Sequence, residues 1–428
     1  NFSRISTKEK FTNISNFNLF INNNNFIITN SEYNGNNFKI HKKNKHFIFG
    51  YCFLENKVIK NTELNNSEYI YIKNNQSKLS GIFVVISIIN NQINIIMDPL
   101  IQYNIFYYFK NNKLMISNNI FSISRLYNLK ENDDRYLFDM ISYQSPMRGL
   151  TIFKNIYIIQ YDDIINNHNT ELYKTKLPLR INNLHFQIPN NKIYENLSYE
   201  ELLDMYILDL KKRANIISKN YKEVHCQLTG GADSRFVASI FMEYDNIYHY
   251  CYGDGTRQDR LCFEELVSKY KLKKTDAIYF FGNSLNNSSR IFKGLYDSNC
   301  MKYKNLDSYM NSDKFSNFSK CKITGYYGAN ICSSVAIPIE DTKSSNRTSF
   351  IHPKYFTYHN YVNLMHNKYK NLRECAFKDI FYINNRGLSH YSSHTIVDNL
   401  KCDSYDILYS PINLELVKKC PYSDMDID

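Results

Sequence analysis

Leu228-Thr229-Gly230-Gly231-Ala232-Asp233-Ser234-Arg235 stands between a short apolar strand, Val224 to Leu228, and a helical pattern expected from Ser234 to about Tyr244. A strand that turns on two glycines into a helix is built to hold an anion. Gly230 and Gly231 let the chain turn tightly and bring backbone N–H groups close to a ligand. The start of the next helix adds partial positive charge. Thr229 and Ser234 offer hydroxyl donors, and Arg235 adds a fixed positive charge. Asp233 would be repelled by bare phosphate, so its place there makes best sense if a Mg²⁺ ion lies between it and the phosphates. The P-loop pattern G-x-x-x-x-G-K-[ST] is absent. The competing reading is a plain strand-to-helix turn, in which Gly and Asp are common.

Outward from this turn the chain alternates strand and helix. Ser198 caps a helix that carries Glu200 and Glu201 in its first turn and an apolar face of Leu202, Leu203, Tyr206, Leu208 and Leu210 up to about Ile217. Ile247 to Tyr252 reads as a strand and Gln258 to Tyr270 as a helix. That alternation implies a parallel sheet with helices on its faces. The first 180 or so residues differ in character. Phe26-Ile27-Ile28, His46 to Leu54, Tyr69 to Ile72, Gly81 to Ile89, Asn94 to Met97 and Leu114 to Ser117 all read as strands between Asn, Lys and Gly clusters. Asp133 to Ile141 reads as a helix. With a linker over Gln187 to Asn196, the expected organisation is a β-rich α+β domain over 1–186 and an α/β domain over 195–428.

Composition narrows the function. In 428 residues, 52 Lys and Arg against 41 Asp and Glu give a net charge of +11, spread along the chain. This permits anionic ligands, but no nucleic-acid motif accompanies it, so DNA and RNA are not the expected partners. The 58 Asn, together with abundant Ile, Lys and Tyr, indicate a coding bias, so single surface Asn and Lys residues carry little functional weight. No apolar stretch of about 18 residues reads as a membrane span. The 10 Cys form no C-x-x-C and read as reduced, partly buried thiols of a cytoplasmic protein. His225 and His249 read as core residues. His390 and His394 have i, i+4 spacing but no third metal ligand.

The T-G-G-x-D-S-R segment resembles the pyrophosphate loop of the ATP pyrophosphatase superfamily, and more narrowly that of the asparagine synthetase family and its relatives that form β-lactams and lasso peptides. Further segments are similar in the same order. Tyr248 to Tyr252 resembles the strand beside which adenine lies, and Gln258-Asp259 the acidic start of a helix. Thr324-Gly325-Tyr326-Tyr327-Gly328 resembles a second glycine-rich loop, Arg386 falls where relatives place an Arg, and Tyr409 to Leu416 resembles a late Pro-containing segment. Gly81-Ile82-Phe83, Asp98, Phe106-Tyr107-Tyr108, Leu114 to Asn118 and Thr151 to Ile156 look like the family's glutaminase-type domain. The resemblance covers roughly residues 40 to 421. It implies an Ntn-hydrolase-like N-terminal domain and an ATP pyrophosphatase domain that binds ATP and Mg²⁺. Its nucleotide site would comprise Leu228, Thr229, Gly230, Gly231, Asp233, Ser234, Arg235, Tyr252, Gly325, Tyr326 and Gly328, with Asp233 on the metal. The implied reaction adenylates a small-molecule or peptide carboxylate, for attack by an amine.

Three departures qualify that implication. A glutaminase of this class uses an N-terminal Cys, whereas this sequence opens Asn1-Phe2-Ser3 and its first Cys is Cys52. Ala329-Asn330 follow Gly328 where a second metal carboxylate is expected; Glu340 and Asp341 are the nearest substitutes. Lys418 and Lys419 lie earlier than the family's late Lys, and the tail, Asp424 to Asp428, is acidic. Three functions therefore stand side by side. One is an AMP-forming amide or lactam synthetase. Another is a non-catalytic nucleotide-binding scaffold that works with a partner protein or a second copy. The last is a glutamine-dependent amidotransferase with a trimmed start.

Overall fold

The structure, a computed structural model, describes residues 18–22, 25–29, 45–90, 92–110, 113–143, 146, 149–159, 184–187, 191–251, 258–274, 295, 298–301, 321–325, 399 and 402–419. Among these residues the chain is a mixed α/β protein with two mainly antiparallel sheets and one parallel sheet.

The first sheet runs β2 (Asn25–Thr29), β1 (Asn18–Asn22), β8 (Lys113–Ser117), β7 (Phe106–Lys110), β9 (Tyr157–Ile158), and every pair in it is antiparallel. The second runs β10 (Leu184–Gln187), β6 (Gln92–Met97), β5 (Phe83–Ile89), β3 (Lys45–Phe53), β4 (Val58–Leu64), with β10 parallel to β6 and the rest antiparallel. Side chains alternate between faces along a strand, and the apolar pattern obeys this. Phe47, Phe49 and Tyr51 of β3, Val84 and Ile86 of β5, and Leu114 and Ile116 of β8 enter one shared core. On the other face of the second sheet, Ile48 and Cys52 of β3 and Val85 of β5 meet Tyr69 and Ile72 of α1 (Asn66–Asn75). On the other face of the first sheet, Phe106, Tyr108 and Met115 meet Ile120 and Ile123 of α2 (Ile120–Tyr127) and Tyr136 and Met140 of α3 (Asp134–Tyr143). Gly50 and Gly81, both at positive φ, mark a close crossing, since a Cβ on Gly50 would lie 2.1 Å from the Ile82 carbonyl oxygen.

Tyr69 to Ile72, expected as a strand, is helical. Asn65 accepts from the Glu68 N–H while the Glu68 carboxylate accepts from the Asn65 N–H. This reciprocal capping starts a helix whose buried residues, Tyr69 and Ile72, are three apart, while Ile70 is exposed. The aromatic and β-branched content suggested β structure; the cap and the helical spacing of burial prevail. The other expected strands and the helix at Asp133 to Ile141 are present to within a few residues.

The third sheet is parallel, in the order β12 (Ile247–Tyr250), β11 (Val224–Gln227), β13 (Cys321–Thr324), β14 (Asp403–Asp406). It carries α4 (Tyr199–Asn220), α5 (Ala232–Phe241), α6 (Gln258–Tyr270) and α7 (Asn413–Lys419). It joins the second sheet through the end of β14 and the turn after it. The Tyr51 hydroxyl receives the Asp406 N–H at 3.1 Å, the Tyr409 hydroxyl donates to the Asp98 carboxylate, and Tyr206 donates to the Leu408 carbonyl at 2.9 Å. Arg213, 1% exposed, donates to the Tyr409 carbonyl at 2.6 Å and pairs with Asp209 at 2.9 Å. One continuous apolar cluster extends from Leu19 to Leu416. No helix among the described residues is long and apolar enough to cross a membrane.

Candidate functional site

The order of the parallel sheet locates the site. The chain leaves β11 through α5 to reach β12 on one side, then returns to β13 on the other side of β11. Between β11 and β13 the connections therefore diverge, and in open α/β sheets the crevice at the carboxyl ends of such a strand pair is where ligands bind. The carboxyl end of β11 opens into residues 228–231 and that of β13 into Gly325. Gly325 packs on the start of α5, into which the loop leads, since a Cβ on Gly325 would lie 3.5 Å from the Asp233 carbonyl oxygen and 3.1 Å from Val237. The first expected loop and the opening glycine of the second are thus side by side.

The first loop is internally bonded. Leu228, buried, donates its N–H to the Tyr250 carbonyl at 2.9 Å. The Thr229 N–H reaches the Ser234 hydroxyl at 2.9 Å, the two hydroxyls are 2.9 Å apart, and the Gly231 N–H reaches the Thr229 hydroxyl at 3.1 Å. The Gly230 N–H donates to the Asp259 carboxylate at 3.0 Å. The hydroxyls expected to face a ligand therefore shape the loop itself.

The helix starts two residues earlier than expected, at Ala232, with Gly231 as its N-cap and no side-chain cap bond. Asp233 and Ser234 thus sit in its first turn, half-buried, while Arg235 is exposed. Gly231 has φ −70°, so a left-handed turn is not the reason for glycine there. Close approach is the reason at Gly230, where a Cβ would lie 3.2 Å from an Asp259 oxygen and 3.3 Å from the Cys262 sulfur.

The surroundings are inert. Burial lowers the pKa values of His225 and His249, in keeping with their place in the core. Burial pushes the Cys226 thiol up to about 12 and the Cys251 thiol to about 11, so neither presents a thiolate nucleophile at neutral pH. The described cysteines are all free, and only Cys262 is partly exposed. Lys419 donates to the carbonyls of Tyr194, Glu195 and Leu197, which fixes the helix C-terminus to the 191–194 turn.

Of the expected site residues, Leu228 to Arg235 and Gly325 come together at the switch point. Tyr252, Tyr326 and Gly328, together with Arg386, Glu340, Asp341, His390 and His394, lie outside the described residues. The contribution of Asp259 was not foreseen. Its only sequence signal is an acid opening the helix after the next strand, and nothing local shows that it reaches back to Gly230. Asp233 and Asp259 are the carboxylates at the loop, and no group of three or more metal-ligating side chains occurs among the described residues. A single carboxylate such as Asp233 suits a cation that keeps most of its water and reaches the protein mainly through phosphate oxygens, as Mg²⁺ does. No family model matches this sequence, and no curated protein matches it.

Proposed function

We propose that this protein is an ATP-dependent, AMP-forming synthetase of the asparagine synthetase type, joining a carboxylate to an amine. In this reading residues 1–186 form the Ntn-like half, and the parallel sheet belongs to an ATP pyrophosphatase domain. The observation that carries it is the convergence of the Thr229 to Ser234 loop and Gly325 at the carboxyl ends of β11 and β13. The uncapped start of α5 supports it, because an open helix N-terminus leaves donors and dipole for an anion.

The residues take the following roles. The amides of the loop and the first turn of α5 receive the leaving pyrophosphate, where preorganised donors stabilise growing charge. Asp233 would hold a Mg²⁺ ion, whose chemistry when bound would be to neutralise that charge. A substrate carboxylate oxygen bonds to the α-phosphorus as the bond to the bridging oxygen breaks and pyrophosphate departs. An amine then bonds to the acyl carbon, and AMP leaves with the carboxylate oxygen. An amine on the same substrate gains from high effective concentration. A cytoplasmic place and a small-molecule or peptide substrate belong to this proposal.

The test is calorimetric titration of ATP with and without Mg²⁺, on the wild type and on Asp233→Ala. Mg²⁺-dependent ATP binding that falls at least tenfold in the variant is expected, about 1.4 kcal/mol or more, with the unfolding transition unchanged. Equal affinity in both proteins overturns the assignment. A second reading, a nucleotide-binding scaffold without catalysis, is favoured by the loop amides of residues 228 to 231 each having a partner within the protein. ATP binding without AMP release over a panel of amino-carboxylates would select it.

A further inference from the structure

The loop assigned above to phosphate already has an anion of the protein on one of its amides. Of three consecutive amides, those of Thr229 and Gly231 donate to neutral hydroxyls within the loop, but that of Gly230 donates to a carboxylate 29 residues away in sequence. A bond to a charged acceptor is the stronger kind. The contact is also built. The first turn of α6 packs onto Gly230 so closely that any side chain there would press on Asp259 and Cys262. The start of α6 is held in turn by the Cys251 thiol, which approaches the Asp259 carbonyl at 3.6 Å, and by Arg260, which pairs with Glu264 and lies over the Phe263 ring at 4.9 Å. An acid in the first turn complements its own helix dipole without reaching outward, so dipole compensation alone does not require the bond to Gly230. Asp259 itself is exposed, which leaves its carboxylate free to swing into solvent.

We propose that Asp259 is a built-in competitor for the phosphate loop, holding the Gly230 N–H until a phosphate group displaces it. The proposal rests on the reading of residues 228–235 as the phosphate cradle. It makes Asp259 a regulator of affinity: the wild type trades tightness for a loop that keeps its shape when empty and releases pyrophosphate readily after the reaction. The anion it excludes most effectively is the most weakly held one, such as free inorganic phosphate. The β- and γ-phosphates of a nucleotide bring several oxygens at once and can afford the displacement.

The experiment measures binding of inorganic pyrophosphate and of ATP, each with Mg²⁺, to the wild type, Asp259→Asn and Asp259→Ala. The Gly230 amide resonance is followed in ¹⁵N-labelled protein. Both variants are expected to bind pyrophosphate more tightly, by roughly three- to tenfold, with the gain shrinking at high salt as an exposed charge effect must. The Gly230 amide should move in each unliganded variant, and in the wild type on adding pyrophosphate. Weaker binding in the variants would make Asp259 a helper of the cation and overturn the proposal, as would unchanged affinity. No binding by any of the proteins, with the Gly230 amide still displaced in Asp259→Asn, would instead bring down the cradle reading and reduce the contact to a structural one.

Discussion

Two turns in this molecule bring backbone N–H to a carboxylate, one with three amides and the other with a single amide, and they do so under opposite conditions. At Asp98, after β6, the carboxylate takes the N–H groups of Leu100 at 3.2 Å, Gln102 at 2.9 Å and Tyr103 at 2.9 Å, and the Tyr409 hydroxyl as well. That nest is fully buried, and its anion belongs to the turn itself. At Gly230, after β11, the amide meets a carboxylate from another element, at the surface. The buried nest fixes structure, because nothing else can reach its donors. The exposed one, in the proposal above, holds its single donor only until a phosphate group displaces it. The Asp98 turn also holds Ile101 at φ 56°, a left-handed conformation that costs a β-branched residue about 1–2 kcal/mol. A turn that keeps such strain is over-determined by its contacts, and the loop over residues 228–231 shows no comparable residue among those described.

The sharpest way to break this comparison is to empty the buried nest. Asp98→Ala leaves three amides and the Tyr409 hydroxyl without their acceptor, at the junction between the second sheet and the turn after β14. Each buried donor left alone costs about 1–3 kcal/mol. A loss of at least about 3–5 kcal/mol is expected, read by urea unfolding followed by circular dichroism. A loss under about 1 kcal/mol would show that the junction does not depend on Asp98.

A somewhat smaller effect is expected from pH. Burial raises the Asp98 carboxyl from its usual value of 3.8 to about 6, against the opposing pull of its hydrogen bonds. Tyr51, the Tyr409 hydroxyl and the Cys52 thiol face it, and burial pushes the Tyr51 and Cys52 groups upward, so neither ionises to compete near neutrality. Between the two values the unfolded chain has lost the proton that the folded chain retains. The contribution of this group is therefore complete below about pH 4 and is lost as pH rises through about 6, roughly 3 kcal/mol in all. Asp98→Asn keeps an acceptor oxygen and should flatten that part of the stability profile. A profile between pH 4 and 7 that is the same in both proteins would contradict the shift and its cause.

What was legible in the sequence follows the same division between local and distant causes. The Ser198 cap with Glu201, the apolar strand Val224 to Gln227 and the helix Gln258 to Tyr270 are set by neighbours within a turn or two, and all are present where the pattern placed them. The Asn65-x-x-Glu68 box was equally local, yet the run Tyr69-Ile70-Tyr71-Ile72 was read by residue type rather than by its cap. The reach of Asp259 to Gly230, the meeting of Gly325 with Asp233 and the bond from the Tyr409 hydroxyl to Asp98 depend on chain segments brought together by sheet order. No window of sequence contains them.

The finest comparison is between two helix starts. At α4, Ser198 accepts from the Glu201 N–H at 3.1 Å and the Glu201 carboxylate accepts from the Ser198 N–H at 2.7 Å, so the helix closes its own end. At α5, Gly231 provides no side-chain cap. If the first end serves stability and the second serves a ligand, substitutions should separate the two roles. Ser198→Ala should cost about 1 kcal/mol of stability and leave pyrophosphate affinity untouched, since it lies at the far end of a helix leading to β11. Gly231→Ala should change stability by less than about 1 kcal/mol, because its φ of −70° suits any residue and a Cβ would meet only the Thr229 hydroxyl, at 3.3 Å. It should nevertheless weaken pyrophosphate binding several-fold, because the new methyl group projects from the N-cap, where the ligand would sit. Thermal unfolding and calorimetry on the two variants decide the matter. Equal losses of stability with unchanged binding would mean that the open end of α5 is only an economical turn. A loss of binding at Gly231 alone would mean that the missing cap is the space into which the phosphate fits.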